Sequence, residues 1–532
     1  MKSLSVKALA AAVAIAASQF TLDPALAAGG PSGARVNFPV QGHIGEVVVN
    51  PYKIAPLTAV IRNGGYVLTD VTVKVLPKPN GRTIEYKVSD RQLKTHSGVP
   101  VFGLYPDWMN TVEVSYTRHF NGKAEKFTDT YRFYTSPIYT RSTGLENQVK
   151  PFDVKVQHVD EDFKDRLYFV GSQLVTPLPI AMRYVWNNPS GGSLEWAFNN
   201  NIGIVDTAGD LRWWLMDTLL EDPEDPLRSG YFMGFQQTKD GALTWGFGQC
   251  YVKYDLLGRE IFNRRLPAGY ADYSHAFDNA QNGHSFLRVS YADYRRPDGK
   301  RVHTVRDVIV ELDANGGVVD DWRLMDILDP YRDNVLKTLD QGAVCLNVDP
   351  SKAGQTLSTE QLAEQDKHEA FGDITGVGAG RNWAHVNSVD YDPSDDSIII
   401  SSRHQSAIIK IGRDKKVKWI LASPEGWKKG WAEKVLKPVD KNGKPIKCEG
   451  SVCEGGFDWS WTQHTAWRID EKSDKDMIYI TAFDNGDLSK LPHPYLNEYR
   501  WGETTPAVSL KFHGICGYQA FPISIEKAFT LN

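Results

Sequence analysis

The chain has 532 residues, 41% of them hydrophobic and 23% charged, with a formal net charge of −5. That length allows two or more domains, each able to bury a core, and the acidic balance excludes the broad basic surface that nucleic acid would require. Fifteen Trp and 11% aromatics favour a well-filled β-rich fold over disorder.

Residues 1–27 read as a secretory signal. Lys2 and Lys7 form the basic start, Ala8 to Ser18 is a short apolar run, and Ala25-Leu26-Ala27 fits a cleavage site. The run is too short to span a bilayer, and no other stretch is long and apolar enough. Export to an oxidising compartment, most simply the bacterial periplasm, follows as an expectation. Residues 36–140 hold short strand-like runs: Ala59-Val60-Ile61, Val71 to Val75, Val112 to Tyr116 and Tyr131 to Tyr134. Their alternation, broken by Gly, Pro and Asn, predicts an N-terminal antiparallel β-sandwich. Ser136-Pro137 to about Val149 reads as a linker.

Residues 150–532 carry a second pattern, an apolar residue and Asp followed three positions later by Gly, then usually an aromatic strand. It occurs at Asp206-Thr207-Ala208-Gly209, Asp255-Leu256-Leu257-Gly258 and Asp313-Ala314-Asn315-Gly316, with a looser form at Gly412-Arg413-Asp414. These are hairpin turns by composition. Asp206 and Asp255 lie 49 positions apart, Asp255 and Asp313 lie 58 apart, close to the repeat of a propeller blade. The pattern predicts an all-β chain whose sandwich is followed by a six-bladed β-propeller. Leu324 to Leu339 reads as helical, split or kinked at Pro330. After Asp487 the repeat fades, Ala507 to Phe512 offers one short strand, and the last blade is expected to be incomplete.

Three histidines recur in similar settings: Asp272-Tyr273-Ser274-His275, Asn382-Trp383-Ala384-His385 and Trp461-Thr462-Gln463-His464. Each is followed by a polar turn and an apolar strand. Equivalent inner positions of a radial repeat converge on one axis, which predicts that the three imidazoles share a pocket. Arg403, just after the Ile398-Ile399-Ile400 strand, is placed to reach the same axis. Asn387, two positions beyond His385, shares its side of a strand. Trp461 and Trp467 flank His464 and are candidates to hold flat apolar ligands. Such a group makes a cradle for a tetrahedral anion: Arg, imidazole and Asn stabilise charge on peripheral oxygens with no shared carboxylate. A neutral imidazole is also a good nucleophile and leaving group. Taken singly, each residue has a plain structural role, as a hydrogen-bonded histidine, a surface ion pair or a core aromatic.

Cys448 and Cys453, five apart, suit a local disulfide, while a zinc knuckle would need a second close pair. Cys250, Cys345 and Cys516 read as buried free thiols. There is no P-loop, HExxH or GxSxG. A three-histidine metalloenzyme and a non-catalytic binding propeller remain the alternatives to group transfer.

Arg381-Asn382-Trp383-Ala384-His385-Val386-Asn387-Ser388, Ser401-Ser402-Arg403-His404-Gln405, Thr462-Gln463-His464-Thr465-Ala466-Trp467, Val101-Phe102-Gly103-Leu104-Tyr105 and Phe483-Asp484-Asn485-Gly486-Asp487 closely resemble the bacterial arylsulfate sulfotransferases. The resemblance implies a sandwich joined to a six-bladed propeller. It also implies a secreted, homodimeric enzyme that moves a sulfuryl group from a phenolic sulfate ester to a phenol without a nucleotide donor. The implied course is ping-pong through a sulfohistidine at His464, with His275, His385, Asn387 and Arg403 binding the sulfuryl group and handling protons. The resemblance pairs Cys448 with Cys453 and implies a periplasmic disulfide oxidase as partner. No cofactor, metal, nucleic acid or membrane span is expected.

Overall fold

A computed structural model describes residues 42–142, 145–149, 151–174, 199–330, 332, 360, 364, 380–483, 519–523 and 529, apart from one to three residues at a time within the longer spans. The expected signal segment, 1–27, lies outside the described residues.

The chain is built mostly of strands. Near the N-terminus a three-stranded antiparallel sheet joins Val47–Val49, Thr58–Arg62 and Gly98–Phe102, and a four-stranded one orders Ile84–Val88, Val67–Val75, Trp108–Phe120 and Lys123–Thr135. Alternate residues of the strands face inward, so Val71, Val73, Val75, Val112 and Val114 share one core with Ile61 and Val101. All four strand-like runs of the sequence lie inside these strands. A short helix, Asp90–His96, went unforeseen; Ser89 caps it by accepting the Gln92 N–H. The segment expected as a plain linker pairs Thr140–Ser142 with Leu145–Val149.

Beyond it, antiparallel sheets of four or five strands follow in chain order. The second is Met233–Gln237, Leu243–Phe247, Cys250–Tyr254 and Glu260–Arg265. In the third, Tyr270–Ala271 and Phe277–Asn279 both pair with Ser285–Tyr291, which is followed by Val308–Leu312 and Val318–Arg323. The fourth is Val386–Asp392, Ser397–Ser402, Ala407–Gly412 and Val417–Leu421. A two-stranded piece, His464–Arg468 with Ile480–Phe483, comes next. The first sheet takes Leu167–Leu174, Asn199–Asp206 and Leu211–Trp214 from the start of this region and Gln519–Ile523 from its end. Joining the two ends of the region in one sheet protects strand edges. Ala507 to Phe512, the tail strand the sequence suggested, lies outside the described residues.

The Asp–Gly motif, in one copy loosened, marks the last hairpin of each of these four sheets beyond the sandwich. Asp206, Asp255 and Asp313 each accept two backbone N–H groups of the turn through Oδ1, and Gly209, Gly258 and Gly316 sit at φ 86°, 90° and 89°. That left-handed conformation is open to glycine without a Cβ clash. In the looser copy Lys415 takes the position at φ 64°. Each hairpin carries a register shift beside the turn, the bulge that aligns a type I turn with strand twist. The helix expected over Leu324 to Leu339 is Leu324–Ile327, and Leu328 is already extended. Pro330 disfavours helical backbone at Asp329, and 333–339 lie outside the described residues.

The sandwich is docked on the first sheet through buried Arg212. It donates to the Gly103 and Arg82 carbonyls and to Tyr105 Oη, and pairs with Asp206 at 2.6 Å. Phe529 stacks on Tyr86 at 4.6 Å.

Candidate active site

The three histidines occupy equivalent places. His275 precedes Phe277–Asn279, His385 precedes Val386–Asp392, and His464 opens His464–Arg468. His385 and His464 stand at the entrance of the first strand of their sheets, and His275 lies between the two short strands that share that place in the third sheet. Their rings meet: His275 to His385 is 5.5 Å between centroids, His275 to His464 is 5.7 Å, and His385 to His464 is 6.5 Å. The backbone around them is unusual. His275, His385, Thr462 and Thr465 all have φ between 43° and 62°. Left-handed backbone at non-glycine residues is held only where surrounding structure over-determines it, and it concentrates at functional sites.

Arg403 lies in the tight turn between Ser397–Ser402 and Ala407–Gly412, and its N–H donates to the His385 carbonyl at 3.2 Å. Its charge reaches His275, His385 and the neighbouring His404. Asn387 is brought to the site but works mainly on backbone. Nδ2 donates to the Gln463 carbonyl at 2.8 Å and Oδ1 accepts the Thr465 N–H at 3.0 Å. The amide thus clasps the chain on both sides of His464, leaving one N–H for a ligand. Trp461 and Trp467 are both half-buried beside His464. Cys448 and Cys453 form a disulfide across a two-residue-per-strand hairpin. Ser451 at its tip contacts Ser423 Oγ at 2.8 Å and donates its N–H to Glu425 at 3.1 Å. Arg332 donates to the Ser423, Glu425 and Gln405 carbonyls, so the hairpin communicates with the Arg403 turn. Cys250 is buried and free; Cys345 and Cys516 lie outside the described residues.

Several residues of the site escaped the sequence reading. His404, fully buried, packs its ring 4.5 Å from His385 and donates Nδ1–H to the Asn382 carbonyl at 2.5 Å. The Asn382 amide in turn contacts His385 Nδ1 at 2.9 Å. Arg288 and Arg306, also buried, contact His275 and His385. Arg288 had a visible signal, a charge inside the apolar run Phe286-Leu287-Arg288-Val289; Arg306 had none, because it sits in a loop.

Electrostatics favour anions here. Burial, then Arg288, His464, Arg306 and Arg403, hold His275 well below the ordinary imidazole pKa. Burial, then Arg306, His404, Arg403 and His275, do the same to His385, and burial followed by Arg403 does so to His404. The rings are therefore neutral at physiological pH, surrounded by guanidinium charge. One ligand atom from each of His275, His385 and His464 lies within 4.8 Å of the others, close enough to share a cation. Three imidazoles are a donor set that zinc accepts, but the arginines that crowd the rings repel a second positive charge.

A family described as Arylsulfotransferase (ASST) matches residues 153–508, and its Arylsulfotransferase Ig-like domain matches residues 46–136. The arylsulfate sulfotransferase AssT of Escherichia coli O6:H1 is 44% identical over 473 residues, covering 86% of this chain and 76% of its own. A protein of the same name from Lelliottia amnigena is 42% identical over 477 residues, covering 86% and 77%. Among solved structures, a Bacteroides caccae protein of unknown function aligns over 53% of this chain and 64% of its own at 11% identity, with a TM-score of 0.24, too low to bear on the fold. With both halves matched and close relatives spanning nearly the whole of it, the chain belongs to the arylsulfotransferase family and is a sulfotransferase.

Proposed function

We propose that this enzyme moves a sulfuryl group from a phenolic sulfate ester to a phenol, ping-pong through a sulfohistidine at His464 and without a nucleotide sulfate donor. What carries the reading is the convergence of His275, His385 and His464 from three successive sheets, with arginine charge around the neutral rings of His275 and His385. In the first half, a lone pair of the His464 ring attacks sulfur, the bond from sulfur to the phenolic oxygen breaks, and the phenolate leaves with the electron pair. His275, His385 and Arg403 bind and orient the three sulfuryl oxygens, over which a loose transition state spreads the charge that the group retains. A proton from within the imidazole cluster neutralises the phenolate. In the second half the acceptor phenol attacks sulfur, the sulfur–nitrogen bond breaks, and the phenolic proton returns to the ring.

The same reading carries a secreted homodimer on a six-bladed propeller, with the Cys448–Cys453 bond made by a periplasmic disulfide oxidase. It draws support from the basic-then-apolar start of the chain, the repeated Asp–Gly hairpins and the disulfide itself.

Intact-mass measurement after mixing with 4-nitrophenyl sulfate alone tests the transfer. A sulfuryl adduct is expected on the unmodified protein and not on His464→Ala; an unmodified protein that never gains the adduct sinks the proposal. The three-histidine metal centre is the second reading, favoured by the 4.8 Å spacing of ligand atoms. It predicts stoichiometric tightly held metal and activity lost to chelators.

A further inference from the structure

The imidazoles of the cluster face two different kinds of partner. At His275, Arg288 Nη2 lies 3.3 Å from Nδ1. At His385, Arg306 Nη1 lies 3.1 Å from Nδ1 and 3.5 Å from Nε2, and Asn382 Nδ2 lies 2.9 Å from Nδ1. An amide can present either end to a ring nitrogen. A guanidinium cannot: it has five donors, no acceptor, and keeps its charge. The nearer ring nitrogen must therefore offer its lone pair, which leaves the hydrogen of a neutral ring on Nε2. His404 is the reverse case. Its Nδ1 faces the Asn382 carbonyl, which only accepts, so the hydrogen is on Nδ1.

We propose that Arg288 and Arg306 are positioning residues that hold His275 and His385 as neutral rings with the proton on Nε2, two fixed N–H donors aimed at the oxygens of the transferred group. The identity of that group rests on the sulfuryl-transfer reading above; the tautomers do not.

The supports of the two arginines are themselves built in. Arg288 Nη1 donates to the Asp272 carbonyl at 3.0 Å and lies 3.5 Å from its carboxylate. Ser290 Oγ donates to that carboxylate at 2.8 Å and accepts the Arg306 N–H at 3.1 Å, so one serine ties both supports together. The Arg306 carbonyl accepts the Val386 N–H at 3.0 Å, fixing it beside His385. The charged and titratable groups facing His275 are Arg288, Arg306, Arg403 and His464; those facing His385 are Arg306, Arg403, His404 and His275. All of them act against protonation. A neutral imidazole N–H is a far weaker acid than a phenol, so neither ring supplies the proton that the leaving phenolate takes. On this arrangement it comes from the N–H of the sulfated His464 ring, which is cationic once its other nitrogen has bonded to sulfur.

The test uses full-length protein carrying ¹⁵N-labelled histidine, without substrate, with His275→Gln and His385→Gln to assign the signals. Both rings should show a bare Nδ1 and a protonated Nε2. Neither should titrate between about pH 8 and about pH 5.5, one unit below the ordinary imidazole value of ~6.5. In Arg306→Met, the His385 signal should move upward in titration midpoint by about one unit or more while His275 shifts less. Arg306→Lys, which keeps the charge, should leave His385 neutral over the same range, a rescue that mere packing would not require. A hydrogen on Nδ1 of either ring in the unmodified protein overturns the proposal, as does an unmoved His385 titration in a folded Arg306→Met. If Arg306→Met fails to fold, the unmodified spectrum still decides. Absence of the mass adduct would remove the transfer reading and leave these spectra standing; the wrong tautomer would do the opposite.

Discussion

Asn387 is the most informative single residue to remove. Its amide bridges the Gln463 carbonyl and the Thr465 N–H, the peptide groups on either side of His464, and the residue is buried. In Asn387→Ala the two losses differ. The Gln463 carbonyl keeps the Ser401 hydroxyl at 3.3 Å, so its penalty is small. The Thr465 N–H has Asn387 as its partner, and leaving a donor unsatisfied in a buried setting costs about 1–3 kcal/mol. Together with the cavity left by the amide, a destabilisation of about 2–4 kcal/mol is expected. The rate should fall as well, by a comparable free energy, because Thr465 is held at φ 62° next to the reacting ring. A displacement of about 1 Å at a reacting group is worth about 100-fold in rate. Asn387→Asp separates the contributions: it can still accept from Thr465 but turns an oxygen toward the Gln463 carbonyl and adds negative charge to an anion site. Chemical denaturation gives the stability, and single-turnover transfer from 4-nitrophenyl sulfate gives the rate. A folded Asn387→Ala with unchanged stability and unchanged single-turnover rate would refute the reasoning that the clasp positions His464.

Burial pushes the Asp307 carboxyl up to about 7 against the lowering effect of its Thr304 and Trp383 hydrogen bonds. Its folded pKa lies above the unfolded ~3.9, so the fold binds the extra proton and stability falls as pH rises from about 4 to about 7. Asp307→Asn, which can still accept from Trp383 Nε1, should flatten that part of the pH–stability curve and be the more stable form at pH 8 by about 2–4 kcal/mol; a curve as steep as before argues against a neutral Asp307. Lys410 is buried in an otherwise apolar strand and paired with buried Asp392 at 2.6 Å. Lys410→Met should therefore lose about 3–5 kcal/mol in denaturant unfolding, and adding Asp392→Leu should restore most of it. Reduction of the Cys448–Cys453 bond should lower stability by about 2 kcal/mol. Hydrogen exchange should show the loss first around Ser451, Ser423 and Glu425, which the hairpin ties together; uniform loss across the sandwich as well would contradict a local role.

What the sequence by itself determined was local. Period-two alternation placed four of the seven sandwich strands, because a half-buried strand must send alternate residues inward. The Asp–Gly spacing placed the last hairpin of each of the four sheets beyond the sandwich, because few residues tolerate a left-handed turn position. Even the looser copy at Asp414, about two repeat lengths beyond Asp313, is recognisable by its apolar residue, its turn and the Trp419 that follows. The repeat also put His275, His385 and His464 in equivalent positions, and their meeting follows from that equivalence. The helix that begins at Leu324 breaks earlier than Pro330 alone implies, with Leu328 already extended, and 333–339 lie outside the described residues. Only the tertiary structure decided which groups surround the rings. Arg288 and Arg306 reach His275 and His385 from other strands and loops, Asn387 turns out to grip the backbone beside His464, and the tail strand Gln519–Ile523 finds its partner at Leu167–Leu174, some 350 positions earlier. Such contacts depend on how sheets pack and where side chains end, and no periodicity along the chain encodes a donor–acceptor pairing between residues that meet only after folding.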